Sequence, residues 1–360
     1  MKKIVILTNH SYMLYRFRRE LIEELMKNNE VVLGMPFVGH EDDFQKMGLR
    51  CIEIPLERRS INPMAEMKLI NTYRKLLKKE KPDMVITYSI KPNIYAGLVC
   101  AIKKIPYCAN VQGLGAAFQN KKLAMVATFL YKTALRKAKT VFFENEANAS
   151  EFVNSKILPK ARIKVLPGAG INLEEYPLTT YPENEKVHFL YLGRIMKDKG
   201  VEELFEAMRR LHAEFGSKVV LDLVGFFDDN YEEQVNQLVA DGAAVFHGFQ
   251  TDPRPFYAAS DCVVLPSYHE GLSNVLLEAA AMGRPVITSD IPGCQETVDA
   301  DQTGLLVPVK NVDKLYDAMK KLYQMSKNDR ELMGQRANEK IQREFDKNTV
   351  VKLTCKALKL

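Results

Sequence analysis

Short apolar runs, each followed by a helical pattern, recur along all 360 residues of this chain, and the alternation restricts its fold more than any other feature. In the first half the runs are KIVIL (3–7), EVVLG (30–34), RCIEI (50–54), DMVIT (83–87), PYCANV (106–111), TVFFE (140–144) and RIKVL (162–166). In the second they are VHFLYLG (187–193), KVVLDLVG (218–225), AVFHG (244–248), CVVLP (262–266), PVIT (285–288) and GLLVP (304–308). Between them lie stretches such as YRFRRELIEELMK, in which Phe17, Leu21, Ile22 and Leu25 share one helical face. Helices are expected over 199–215, 230–241, 271–282, 312–326 and 328–345. Nearly continuous apolar strands separated by helices predict parallel sheets covered on both faces.

Two such sheets in succession predict an α/β chain of two Rossmann-like domains, and the length agrees, being too great for one ordinary core. The first domain is expected over residues 1–170. PGAGINLEEYPLTTYPENE (167–185) is rich in Pro, Gly and Asn and has no periodicity, so 171–185 reads as a linker. The second domain follows over 186–340. Open parallel sheets bind ligands at the carboxyl ends of their strands, which predicts a site in the cleft across which the domains face.

Residues 1–180 carry 29 Lys and Arg against 17 Asp and Glu, a net of +12, and the remainder a net of −6. The first half is therefore expected to meet something anionic, nucleic acid or a membrane surface. Basic residues without clustered aromatics on a strand face argue against single-stranded nucleic acid. The six cysteines (Cys51, Cys100, Cys108, Cys262, Cys294, Cys355) form no C-x-x-C pair and read as buried thiols in a reducing cytoplasm. The apolar run in MKKIVILTNH is too short for a signal peptide, and no segment approaches the roughly 18 apolar residues of a membrane span. Neither Gly113-Leu114-Gly115 nor Gly168-Ala169-Gly170 has the third glycine of a dinucleotide fingerprint, which disfavours a nicotinamide dehydrogenase.

The stretch HEGLSNVLLEAAAMGRPVI, from His269, suggests an anion site. A helix starting near Gly271 would separate Glu270 from Glu278 by about 12 Å along its axis, the reach from a sugar across a diphosphate to a ribose. Its first N–H groups, among Gly271, Leu272, Ser273, Asn274 and Val275, would seat the diphosphate, and the two carboxylates would accept from hydroxyls at either end. Arg194 and Lys199, on the loop that begins at Gly193, offer cations to a departing diphosphate.

Gly193-Arg194 followed by Lys199-Gly200, then Glu270 and Glu278, then Asp290-Ile291-Pro292-Gly293 and Thr303-Gly304, resembles the retaining glycosyltransferases of family 4. That resemblance implies the GT-B fold, with a C-terminal helix over 341–360 crossing back to the first domain. It implies that Arg194 and Lys199 hold a UDP-sugar's diphosphate, that Glu278 takes the ribose and Glu270 the sugar ring, and that Leu272 to Val275 give N–H groups to the phosphates. The first half, in YRFR (15–18), RRSINP (58–63), QGLG (112–115), FENE (143–146) and PGAGIN (167–172), is similar to bacterial enzymes acting on polyprenyl-diphosphate-linked sugars, the N-acetylgalactosaminyltransferases among them. Two departures stand out. Thr8-Asn9-His10-Ser11 replaces a glycine-bearing loop, and Asn110-Val111-Gln112 stands where many members carry a histidine, leaving Asn110, Gln112 or His10 to replace it.

These features predict a transferase that moves a sugar, a HexNAc by the resemblance, onto a lipid-linked saccharide at the inner face of a membrane. No metal cofactor is expected, since arginine and lysine can supply the positive charge. An epimerase of the same fold, or a non-catalytic transferase-like subunit, is the alternative. Residues 118–139 combine Leu123, Val126, Ala127, Leu130 and Ala134 with Lys121, Lys122, Lys132, Arg136, Lys137 and Lys139. That pattern, and the similar run 63–81, suits either an amphipathic helix on an anionic bilayer or a packed helix with a solvated basic face. Arg58 and Arg59 join them as candidates to receive the acceptor diphosphate.

Overall fold

The computed structural model describes residues 1–360 apart from 57–61, 114–120, 184 and 359–360. It divides into two units, one of Met1–Gly170 with Lys347–Leu360, the other of Ile171–Asp346.

The first unit is built on a seven-stranded sheet of β1 (Lys2–Leu7), β2 (Asn29–Met35), β3 (Arg50–Glu53), β4 (Met84–Tyr88), β5 (Tyr107–Val111), β6 (Thr140–Phe143) and β7 (Ile163–Val165). The order is β3-β2-β1-β4-β5-β6-β7 and every pairing is parallel. Among the described residues six α-helices are interspersed: α1 (Ser11–Met26), α2 (Glu41–Lys46), α3 (Pro63–Glu80), α4 (Gly97–Lys103), α5 (Lys121–Leu135) and α6 (Glu146–Asn154). The starts of α3 and α6 are set by Asn62 and Asn145, whose side chains accept from backbone N–H groups of the first turn. Alternate strand residues feed two cores. Val5, Val85 and Ala109 pack with α3, α4 and α5, while Ile4, Ile6 and Ile86 pack with α1.

The second unit holds six strands: β8 (Val187–Leu192), β9 (Val219–Val224), β10 (Ala244–Gly248), β11 (Cys262–Leu265), β12 (Val286–Ser289) and β13 (Gly304–Val307). Their order is β10-β9-β8-β11-β12-β13, again all parallel. The helices are α7 (Val201–Phe215), α8 (Glu232–Ala240), α9 (Arg254–Ala259), α10 (Asn274–Ala281), α11 (Val312–Gln324) and α12 (Lys327–Glu344). The last helix, α13 (Lys347–Leu358), packs on α1 in the first unit.

Two expected boundaries shift. Residues 171–185 are not a free linker, because Tyr176 and Tyr181 are buried in the second unit and Thr179 bonds the Met282 carbonyl. The returning helix begins at Lys347 rather than 341. Residues up to Glu344 continue α12, and the Ile171 N–H bonds the Phe345 carbonyl at 2.8 Å, so the chain enters and leaves the second unit side by side.

Candidate functional site

The second sheet changes its direction of growth between β8 and β11, the switch point at which open parallel sheets bind ligands. The loop leaving β8 carries Gly193 to Gly200, and the loop leaving β11 carries Tyr268 to Ser273. Gly200 has φ +70°, and a Cβ there would stand 2.1 Å from the Pro266 carbonyl oxygen, so glycine alone lets the two loops touch. The Tyr268 N–H donates to the Asp198 carbonyl at 2.9 Å and ties them together. In consequence Lys199 Nζ lies 2.6 Å from Glu270 Oε1, with both side chains mostly buried.

Glu270 stands before α10 rather than on it. The Ser273 N–H donates to the Gly293 carbonyl at 2.9 Å, and Gly293, at φ +90°, packs so close that a Cβ would meet the Gly271 oxygen at 2.5 Å. The turn after β12 thus holds residues 270–273 out of the helix. Ser273 is an extended N-cap with no side-chain cap bond, and the helix begins at Asn274, not near Gly271. The 12 Å spacing expected along one axis therefore does not apply. The N–H groups of Asn274 and Val275 lack intrahelical acceptors, and the positive end of the helix lies with them. Gly271, Asn274 and Val275 are half-buried, whereas Leu272 and Ser273 are buried. The open part of the seat is narrower than the run from Leu272 to Val275.

Glu278 lies deeper, 3% exposed, and accepts a 2.9 Å hydrogen bond from the fully buried Tyr257 hydroxyl on α9. Arg194 is the most open of the candidates, with 45% of its side chain exposed, and it donates to Asp228 at 2.7 Å from the turn after β9. That turn is fastened to the Arg194 loop by Ile195 N–H to the Phe226 carbonyl and Asp228 N–H to the Ile195 carbonyl. Gly193 donates to the Val224 carbonyl, and a Cβ at Gly225 would fall 1.8 Å from the Gly193 oxygen. Beneath the site Tyr191 donates to the Arg194 carbonyl at 2.5 Å, and burial, with the Glu270 carboxylate adding to it, pushes the Tyr191 hydroxyl pKa up. Arg194, Lys199, Glu270, Gly271, Asn274 and Val275 therefore all lie on the loops and helix start that leave β8 and β11.

Three residues escaped the sequence reading. Asp228 had no motif to mark it. Tyr257, the partner of Glu278, resembles any core aromatic. Arg284 is fully buried, with its guanidinium donating to the carbonyls of Tyr257, Ala258 and Thr180. Carbonyl partners have no residue identity, so only the Gly-Arg-Pro context hinted at it. The single Asp-x-Asp stretch, Asp299-Ala300-Asp301, is engaged by lysines, Lys340 at 2.9 Å from Asp299 and Lys321 at 2.7 Å from Asp301.

In the first unit the switch point lies between β1 and β4, where Ser89 Oγ donates to Asn9 Oδ1 at 2.8 Å. His10 occupies the N-cap position of α1, edge-on to Tyr12. Asn110 is buried, and its amide donates to the Thr87 carbonyl, so it serves the sheet. Gln112 instead lines a small cavity with Arg18, Glu144 and Gly168. Arg18, 6% exposed, donates to Glu144 at 2.8 Å and to the Gly168 carbonyl at 3.3 Å, and lies over the Tyr88 ring. Three distant stretches, YRFR, FENE and PGAGIN, thus converge on one ion pair. Arg58, Arg59, Leu114 and Gly115 lie outside the described residues, as do the side chains of Lys121, Lys122 and Leu123.

Residues 3–145 match the family model described as glycosyl transferase 4-like, and residues 186–325 the one described as glycosyl transferases group 1. The chain is 29% identical to the N,N'-diacetylbacillosaminyl-diphospho-undecaprenol alpha-1,3-N-acetylgalactosaminyltransferase of Campylobacter jejuni, over 97% of this chain and 96% of the relative. It is 26% identical to the UDP-Gal:alpha-D-GlcNAc-diphosphoundecaprenol alpha-1,3-galactosyltransferase of Escherichia coli, over 82% and 81%. In structure it is similar to Anabaena Alr3699/HepE in complex with UDP and glucose, at a TM-score of 0.81 and 18% identity over 100% of both chains. These likenesses join a glycosyl transferase 4-like first unit to a group 1 second unit, and the chain belongs to the glycosyltransferases of GT-B fold.

Proposed function

We propose that this glycosyltransferase moves a sugar, in the first instance a HexNAc, from a UDP-sugar to a saccharide carried on a polyprenyl diphosphate, with retention at the anomeric carbon. Capsule or a related cell-surface glycan would be the product. The observation that carries the reading is the pairing of Lys199 with Glu270 at the switch point, beside Arg194 and the start of α10. A diphosphate competes with Glu270 for Lys199, and the released carboxylate then accepts from sugar hydroxyls. The Campylobacter jejuni and Escherichia coli relatives support the substrate classes, since both act on undecaprenyl-diphosphate sugars and the second uses UDP-Gal.

In the reaction the bond from the anomeric carbon to the diphosphate oxygen breaks, and its electron pair goes to UDP. The acceptor hydroxyl oxygen forms the new bond, and its proton passes to the departing phosphate. The developing charge lies on the phosphates, where fixed cations and N–H donors are typically worth about 2.7–4 kcal/mol each. Arg194, Lys199 and the α10 N–H groups would supply this without a metal. Glu278, oriented by Tyr257, would take the ribose. The excess of basic residues in the first unit suits the anionic cytoplasmic face of a membrane rather than nucleic acid. Among the described residues no helix is long and apolar enough to cross one.

The test supplies a panel of UDP-sugars with a short-chain polyprenyl-diphosphate sugar and measures UDP release, with the anomeric configuration of the product read by NMR. UDP release that depends on acceptor, and persists in EDTA, is expected. Release at the same rate without acceptor, or an epimerised donor in place of a disaccharide, would sink the reading. Activity abolished by EDTA and restored by magnesium would remove the metal-free mechanism.

A further inference from the structure

On the first unit, α3 and α5 both pack on a π-helical turn, Pro92–Ala96, and bury one stripe each in a shared core: Leu69, Tyr73, Leu76 and Leu77 from α3, Tyr131, Ala134 and Leu135 from α5. The opposite stripes are unusual. Met64, Met67, Met125, Val126 and Phe129 leave 57–81% of their surface in solvent. On α5 the apolar set expected from the sequence is thus divided: Ala127 and Ala134 are buried, while Val126 lies in solvent with Met125 and Phe129, which that set did not include. Isolated exposed apolar side chains are ordinary, but five in the leading halves of two helices that pack on the same turn are not.

Both helices point these halves the same way. α3 ends where Asp83 bonds the Lys3 carbonyl, and the segment after α5 ends where Lys139 bonds the Tyr107 carbonyl, each at the amino edge of the sheet. Their first turns therefore project about 22–27 Å back toward the carboxyl edge. Behind the apolar turns come exposed cations, Lys68, Arg74, Lys75, Lys78 and Lys79 on α3, and Lys132, Arg136 and Lys137 on or just past α5. The acids of α3 are turned inward, Glu66 paired with Lys91 at 2.6 Å and Glu80 with Arg50 and Lys3. α5 carries no acid.

We propose that the leading turns of α3 and α5 form a two-point dock for an anionic lipid bilayer, the methionines and Phe129 entering its interface and the trailing cations meeting its headgroups. This deepens the proposed function and rests on it only for the identity of the acceptor. Insertion at the carboxyl edge of the first sheet brings a membrane-held acceptor to the end of the sheet where ligands bind.

The chain has no tryptophan, so Met67→Trp and Phe129→Trp each create a single reporter. The full-length variants are mixed with vesicles of equimolar phosphatidylcholine and phosphatidylglycerol, or of phosphatidylcholine alone. A blue shift and co-sedimentation with the anionic vesicles, weakened by salt, are expected for both. Serine at Met64, Met67 and Phe129 together should lower partitioning roughly tenfold or more. Alanine at Lys75 or Lys132 should lower it by roughly fivefold each. An unmoved emission at low salt, or equal binding to neutral vesicles, would overturn the dock. So would a shift that follows protein concentration and ignores vesicles, which would assign the patch to a second copy of the chain. Transfer to a water-soluble short-chain acceptor separates the two claims. Turnover without any vesicle response defeats the dock and leaves the transferase reading, and a vesicle response without turnover on any acceptor does the reverse.

Discussion

Each cation proposed for the donor diphosphate is held by a carboxylate from another loop, Lys199 by Glu270 and Arg194 by Asp228. The two pairs differ in setting. The first is mostly buried and the second is open on the arginine side, where an ion pair is worth at most about 1 kcal/mol. Asp228 therefore does little for stability and competes with an incoming anion. Asp228→Asn keeps an acceptor for Arg194 but removes the competing charge, so UDP should bind up to about fivefold more tightly by calorimetry, with unchanged melting temperature. Weaker binding would mean that Asp228 acts by holding Arg194 in place.

At the scale of elements, the site depends on loops that touch through glycine. Gly200→Ala forces a Cβ into the Pro266 carbonyl from a left-handed backbone, and should cost roughly 1–3 kcal/mol in urea unfolding and abolish UDP protection against heat. Retained protection would show that the β8 and β11 loops need not be in contact. Away from the site, Asp222 on β9 bridges His188 on β8 and His247 on β10 at 2.8 and 2.7 Å. Burial alone would raise Asp222, but the two histidine hydrogen bonds outweigh it and hold the carboxyl below its usual range. The hydrogen bond that His188 donates to Asp222 is the main cause that raises His188 above 6.5, with Asp261 adding to it while burial and Lys186 oppose. A raised histidine stabilises fully below its unfolded value and loses that contribution as pH rises through the folded one. The melting temperature should therefore fall as pH climbs above 6.5, and His188→Gln should flatten that slope. An identical slope in the variant would show that His188 makes no such contribution.

For the whole molecule, the last residues of the chain complete its first unit. Val351 and Leu358 enter the core beneath α1, and Lys347 donates to the Phe17 carbonyl. Burial of such a side chain is worth roughly 1.5–3 kcal/mol. Ending the chain at Asp346 should destabilise the first unit by several times the cost of an ordinary surface change, so that limited proteolysis cuts within residues 1–170 before 171–346. Equal resistance of both regions would contradict this. Burial of Tyr176 and Tyr181, with the bonds of Thr179 to Met282 and of Arg284 to the Thr180 carbonyl, likewise assigns the apparent linker to the second unit.

Alternation of apolar runs with helical periods determined the two parallel sheets, because burial on both faces leaves its mark on every residue of a strand. Spacing of charged residues around glycines determined Arg194, Lys199 and Glu270 as candidates, since loop chemistry is local. The start of α10 was not legible, because it depends on the Gly293 carbonyl reaching Ser273 from another loop. Nor were the Lys199–Glu270 pair, the bond from Tyr257 to Glu278, the meeting of Arg18 with Glu144, or the second apolar face of α5. These are contacts between segments distant in sequence, decided by how strands stack and which helical stripe the core consumes. No local pattern records which stripe of α5, apolar on both sides, the core will take.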